Sequence, residues 1–149
     1  MSATLDANIL LYASDRSSPS HARAQAFLEE RAEGPDLLYL FWPTIMAYLR
    51  IATHPSVFDA PLDVATAGAN VERLLAIPHV RTASESERFW EVWRATTEGE
   101  PIRGNLVPDA HLVSLMREHG VGTIWSRDRG LRRFEGIRVM DPFAPTGDD

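Results

Sequence analysis

Ala3-Thr4-Leu5-Asp6-Ala7-Asn8-Ile9-Leu10-Leu11-Tyr12 is the stretch from which the rest of the chain is read. A short apolar run that delivers an acid predicts a buried strand with Asp6 at its carboxyl end. In open α/β sheets that end borders the crevice where ligands bind. A carboxylate taken out of water there needs a partner, and a metal ion is one such partner. Asp is also a favoured helix N-cap, so Asp6 carries a second reading: a cap on a short helix beginning at Asn8 or Ile9.

Outward from this stretch, helical and strand patterns alternate. Ser18-Pro19 predicts the start of a helix running to Ala32, which Gly34-Pro35 stops. Leu37 to Leu40 predicts a second buried strand, and Pro43-Thr44 opens a helix through Ile45, Tyr48 and Ala52 that ends at His54-Pro55. Asp63 caps a helix whose apolar face includes Val64, Ala67, Val71 and Leu74. His79 to Thr82 predicts a third strand, and Ser84 a cap for a helix from Glu85 to Thr97. In that helix Phe89 and Trp93 form an i, i+4 pair that reads most simply as core or interface. Glu98 to Asn105 is a loop, and Val107 opens a helix to Glu118-His119 that Gly120 terminates. Thr123 to Ser126 and Ile137 to Val139 are the last strands, with a short helix through Leu131 and Phe134 between them. The pattern is that of one α/β domain over 1–141, three-layered with a mainly parallel sheet, followed by a flexible Pro/Gly/acid-rich tail at 142–149.

Composition narrows the chemistry. At 149 residues the chain is the size of one domain, which buries roughly 68–70% of its unfolded surface and needs no staple. It has no cysteine, which excludes zinc–thiolate sites, thiol nucleophiles and disulfides. Every basic residue is arginine. Without lysine there is no Walker A loop, and there is no GxGxxG for a dinucleotide. The formal charge of -6 argues against indiscriminate nucleic-acid binding while allowing a local basic surface. The longest charge-free apolar stretch, Leu37 to Leu49, is too short to span a bilayer and is broken by Pro43. With no signal-peptide pattern, the expectation is a cytoplasmic, soluble protein with no membrane partner.

Three aspartates fall at corresponding points: Asp6 after the first strand, Asp109 at a helix start, and Asp128 after the strand ending at Ser126. Two carboxylates about 4 Å apart repel by roughly 4 kcal/mol at an effective dielectric near 20, so a cluster of three calls for a cation. An oxygen-only donor set suits a hard ion, Mg²⁺ or Mn²⁺. Taken singly, Asp109 also reads as a helix cap and Asp128 as a turn residue. Arg127, Arg129, Arg132 and Arg133 flank Asp128 and read either as phosphate ligands or as a solvated face. Asn8 is a candidate support for the site, and His111 reads as structural rather than as a general acid.

Four stretches in order carry a resemblance. Leu5-Asp6-Ala7-Asn8 with the apolar run to Tyr12, Trp42-Pro43 with Leu49-Arg50-Ile51-Ala52-Thr53-His54-Pro55, Asp109-Ala110-His111-Leu112, and Ser126-Arg127-Asp128-Arg129 together resemble the PIN-domain toxins of VapBC toxin–antitoxin modules. The resemblance implies a PIN fold and a Mg²⁺- or Mn²⁺-dependent endoribonuclease that cleaves cellular RNA and inhibits growth until a VapB-type antitoxin neutralises it. It also assigns Asp6, Asp109 and Asp128 as the metal-site and catalytic acids. Two positions depart from the family pattern: Ala47 stands where an acid is usual, and Gly130 where a further acid often follows. The departure at Ala47 sets up the rival expectation, a non-catalytic PIN-fold module that binds RNA or protein. Trp90, Trp93 and the Leu37 to Leu49 stretch are expected to supply both core and contact surface, for a homodimer that also holds an antitoxin segment.

Overall fold

The computed structural model describes residues 1–143. Five strands form one sheet, all parallel, in the order β3-β2-β1-β4-β5. They are β1 Ser2–Leu5, β2 Leu37–Phe41, β3 Val80–Ala83, β4 Thr123–Trp125 and β5 Arg138–Met140. Between β1 and β2 lie α1 Ala7–Ser14 and α2 His21–Glu33, and between β2 and β3 lie α3 Trp42–Ala52 and α4 Val64–Leu75. The crossover from β3 to β4 contains α5 Phe89–Thr97 and α6 Leu106–Glu118, and a 3-10 helix, Arg129–Arg133, leads to β5.

The strand order explains the layers. From β1 to β3 the chain steps one way along the sheet, then jumps back past β1 to β4. Parallel crossovers are right-handed, so reversing the direction of travel moves the connecting helices to the opposite face. Strand residues alternate between the two cores accordingly. Leu38 and Leu40 join Leu10, Phe27, Ile45 and Val71 in the core under α1 to α4. Phe41 and Ile124 join Val113, Met116 and Leu131 in the core under α5 and α6, with Tyr39 packed against it. The three-layer α/β/α arrangement is thus written in the strand residues themselves.

Two helices, α2 and α5, start later than the sequence reading places them. α2 begins at His21, because Ser18 closes a turn instead: its hydroxyl accepts from the N–H of Ser20 at 3.1 Å and its carbonyl from the N–H of His21 at 3.1 Å. α5 begins at Phe89, because residues 84–88 are tied to α6 before they can coil. Glu85 bonds His111 at 2.5 Å, Ser86 donates its N–H to Glu118 at 3.1 Å, and the carbonyl of Ser84 meets His119 at 2.9 Å. At its other end α6 stops as expected, with Gly120 at φ 69.

The packed body also runs further than residue 141. Phe143 is buried, meets Tyr12 edge-on with ring centroids 6.0 Å apart, and accepts a hydrogen bond from Arg23 at its carbonyl. Pro142 and Phe143 therefore belong to the body, and the rest of the expected tail, 144–149, lies outside the described residues. Phe143→Ala is expected to destabilise the protein by about 3 kcal/mol, measured by denaturant unfolding, the scale for truncating a buried Phe. A frayed segment would show no change.

Candidate active site

The sheet order reverses between β1 and β4, and in an open α/β sheet that switch point opens a crevice at the carboxyl ends of the strands. Asp6 and Ser126 are the first residues beyond those two strands. The backbone N–H of Asp6 donates to the carbonyl of Trp125 at 3.0 Å, which carries the β1–β4 pairing one residue past the sheet. The side chains then meet. The Ser126 hydroxyl donates to Asp6 Oδ2 at 2.8 Å and its oxygen accepts from the backbone N–H of Asp128 at 2.9 Å. Ser126 is 1% exposed, so this one hydroxyl fixes both the Asp6 carboxylate and the backbone that delivers Asp128.

Each acid is set by a different device. Asp6 is the N-cap of α1, its Oδ1 accepting from the N–H of Asn8 at 3.4 Å, so the cap and site readings fall on the same carboxylate. Asp128 caps the 3-10 helix through a 2.8 Å bond from the N–H of Gly130 to its Oδ1. Asp109 is not a cap. The cap position is Asn105, and Asp109 sits inside the first turn of α6, beside the positive end of the helix dipole. Gly130 stands between two of the acids: a Cβ there would lie 3.0 Å from Asp128 Oδ1 and 4.0 Å from Asp109 Oδ2.

The electrostatics agree with a shared crevice. Burial pushes the Asp6 carboxyl above its ordinary value, against the lowering bonds from Ser126 and Asn8, and the charge of Asp128 adds to the rise. Asp109 is pushed up to about 6, first by burial and then by the charges of Asp128 and Asp6, with Arg133 opposing. Carboxylates that raise one another's proton affinity are competing for a cation.

Other sequence candidates are sorted by their contacts. Asn8 touches Asp6 only through its backbone N–H, a contact any residue but proline would supply. Arg127 is half-exposed and lies against Phe143 and Tyr12. Its guanidinium lies 5.4 Å from the centre of the Phe143 ring and 6.0 Å from that of Tyr12, donates to Ser20, and has Asp141 at 4.0 Å. Arg133 is the arginine whose charge reaches Asp109, and Arg129 and Arg132 are exposed on the 3-10 helix. His111 is held by Glu85 and by Phe89 edge-on at 5.4 Å, the structural role expected of it. Ser126 was missed as a site residue. Its signal was its position, a small hydroxyl residue ending a strand two residues before an acid.

Comparison with known proteins follows the same lines. A family model described as PIN domain matches residues 3–137. Ribonuclease VapC48 of Mycobacterium tuberculosis is 49% identical over 144 residues, covering 97% of this chain and 99% of that one. Ribonuclease VapC37 of the same organism is 32% identical over 140 residues, 94% and 96% of the two chains. Among solved structures, Mycobacterium tuberculosis VapC20, described as a Sarcin-Ricin loop cleaving toxin, superposes with a TM-score of 0.63. That match covers 91% of this chain and 98% of that one at 14% identity. VapBC2 from Rickettsia felis, bound to a DNA fragment from its promoter, gives a TM-score of 0.66 over 94% and 98% at 14% identity. The two superpositions bear on the fold alone. The domain match over most of the chain and the near-half identity to a ribonuclease of almost equal extent lead to one conclusion: this chain belongs to the PIN-domain family, in its VapC ribonuclease branch.

Proposed function

We propose that the crevice between β1 and β4 hydrolyses RNA phosphodiester bonds with a divalent cation, Mg²⁺ or Mn²⁺, held by Asp6, Asp109 and Asp128, and that the protein is the growth-inhibiting toxin of a VapBC pair. The observation that carries the reading is the set of three carboxylates at one topological switch point, with Asp109 pushed up to about 6 by burial and by its two neighbours. The donor set is all oxygen, which suits a hard ion. Among the described residues no three acidic or histidine side chains already close around a single point. The ion that fits is therefore one that takes one or two carboxylates directly and keeps several waters, as Mg²⁺ does. Such an ion would supply an activated water and neutralise charge on the scissile phosphate.

The chain's own residues supply the rest. Ser126 positions Asp6 and Asp128. Arg133 beside Asp109, with Arg129 and Arg132 exposed nearby, offers guanidinium forks for phosphate oxygens, whereas Arg127 rests against Phe143 and Tyr12 with Ser20 as its acceptor. Two partner surfaces support the wider reading. A groove of about 420 Å³ between α1, α2 and α4, lined by Leu10, Leu28, Leu74 and Ile77 with Tyr48 and Arg73, suits an apolar segment of a VapB-type antitoxin. On α3, Trp42 is 41% and Met46 52% exposed, with Arg50 one turn further on the same side. Trp, Met and Arg are enriched at interfaces, which supports a homodimer through this face. Trp93 packs against the core under α5 and α6, while Trp90 stays exposed. Among the described residues no helix is long and apolar enough to cross a membrane.

Mutation and metal removal test the metal reading. Asp→Asn at 6, 109 or 128 should abolish RNA cleavage with circular dichroism unchanged, chelator should stop cleavage, and Mn²⁺ or Mg²⁺ should restore it. Ser126→Ala should weaken metal affinity by about 10–100-fold, the range for a residue that orients a ligand. Protein freed of antitoxin that binds RNA yet never cuts it under any divalent ion would return the chain to the binding-module reading.

A further test concerns pH in chelator. The folded-state pKa of Asp109, about 6, lies above the ordinary 3.8. The folded state therefore holds the extra proton between these values, and stability falls as pH rises from about 4 to 6 and then levels. Asp109→Asn lacks that fall, so its advantage over the parent should grow from pH 4 to about 1–2 kcal/mol at pH 7, discounted for partial exposure. A difference that does not change with pH would detach the shift from Asp109.

For the dimer, Trp42→Ala with Met46→Ala should raise the dissociation constant by at least about 30-fold in sedimentation, the scale of a lost hot spot. An unchanged constant would move the interface elsewhere.

A further inference from the structure

We propose that a cleft at the amino end of the sheet, between Arg31 of α2 and Arg138 of β5, is a second phosphate site that takes a backbone phosphate of the RNA away from the cut; this rests on the ribonuclease reading above. The cleft encloses about 220 Å³, and its lining includes Arg31, Arg138, Trp125, Thr123, Met140 and Asp36. It has no part in the crevice that holds the three aspartates.

Arg31 is built in. Its guanidinium carbon lies 5.3 Å from the centre of the Trp125 ring and 5.5 Å from that of Phe27, so the cation sits in the angle between two aromatic rings. One terminal nitrogen pairs with Glu30 at 3.0 Å. Its Nε is buried and has no acceptor among the described residues. A planar cation held by rings, with a donor to spare, is the arrangement that recognises an oxyanion through paired N–H bonds. Arg138 adds a second, exposed guanidinium from the edge strand. Asp36, the carboxylate in the lining, has the amino group of Met1 at 3.6 Å as its ion-pair partner.

The placement favours RNA over an acidic protein segment. The lining takes in Ser2, Leu37, Thr123 and Arg138 at the amino ends of their strands and runs to Trp125 and Met140, the last residues of β4 and β5, one residue short of Ser126 at the crevice. β5 is the open edge of the sheet, and Arg129 and Arg132 are exposed on the 3-10 helix that leads into it. A single strand leaving the crevice over that edge meets arginine before, along and beyond β5.

The test uses the whole chain in chelator, so that RNA is bound and not cut. Inorganic phosphate, and separately a long single-stranded RNA, should shift the Arg31 Nε–H and Trp125 indole N–H resonances; a short oligonucleotide that spans only the crevice should not. Arg138→Gln should weaken binding of the long RNA and reduce the slope of log affinity on log salt by about 0.7, leaving the short one unaffected. Arg31→Gln should do the same, and if it fails to fold, the exposed Arg138→Gln with Arg31 as reporter carries the test. With divalent ion, Arg138→Gln should still cut the short RNA at the parent rate. An unmoved Arg31 Nε–H with long RNA, or an unchanged salt slope in Arg138→Gln, overturns the proposal. So does a shift with phosphate alone, which would mean a free-anion site, or a shift with a poly-glutamate peptide and not with RNA, which would mean a protein partner. Failure of the parent protein to cut even the short RNA with divalent ion would sink the nuclease reading and leave the phosphate titration interpretable by itself.

Discussion

The pairing of β1 with β4 is the constraint on which the rest depends. It is the one place where the chain's direction of travel across the sheet reverses, and it is sealed beyond the last strand residues by the N–H of Asp6 on the carbonyl of Trp125. That backbone bond brings Ser126 beside Asp6, and the hydroxyl then ties Asp6 to the turn that presents Asp128. Asp109 arrives by a different route, on the first turn of α6, which the right-handed crossover sends to the opposite face of the sheet. Topology thus brings Asp109 within reach of the charges of Asp6 and Asp128, and the latter two also cap helices.

Much of this was legible in the sequence, for reasons of period and punctuation. Buried parallel strands read as apolar runs, and glycine or proline marked the ends of α2, α3 and α6, so the alternation of strands and helices came through with most boundaries intact. The three aspartates were legible because each follows a strand or opens a helix. The misses have a common cause. Ser18, Ser84 and Asn8 advertise local roles through their side chains, while the structure uses Ser18 in a turn, ties the segment after Ser84 to Glu118 and His111, and takes only a backbone N–H from Asn8. Arg127 looked equivalent to its neighbours along the chain, yet Phe143 and Tyr12 draw it out of the cluster. Long-range partners of this kind leave no periodic trace.

The same polar group can serve stability and chemistry at once. Asp6 and Asp128 each cap a helix while raising the proton affinity of Asp109, so the local hydrogen bonds that fold the chain also orient the charges that repel. This is why a cap and a ligand could not be told apart from either residue alone. The burial that costs stability at Asp109 is the same burial that strengthens its attraction to a cation.

The bond between Ser126 and Asp6 joins residues 120 positions apart. A chain emerging from the ribosome amino end first makes β1, β2 and β3 long before β4 exists, and contacts of such separation form late because loop closure must precede them. Until the segment around residue 126 is out and paired, Asp6 has no partner across the switch point and Asp128 has not been made. A product cut short before β4 therefore carries the earlier helices without the crevice.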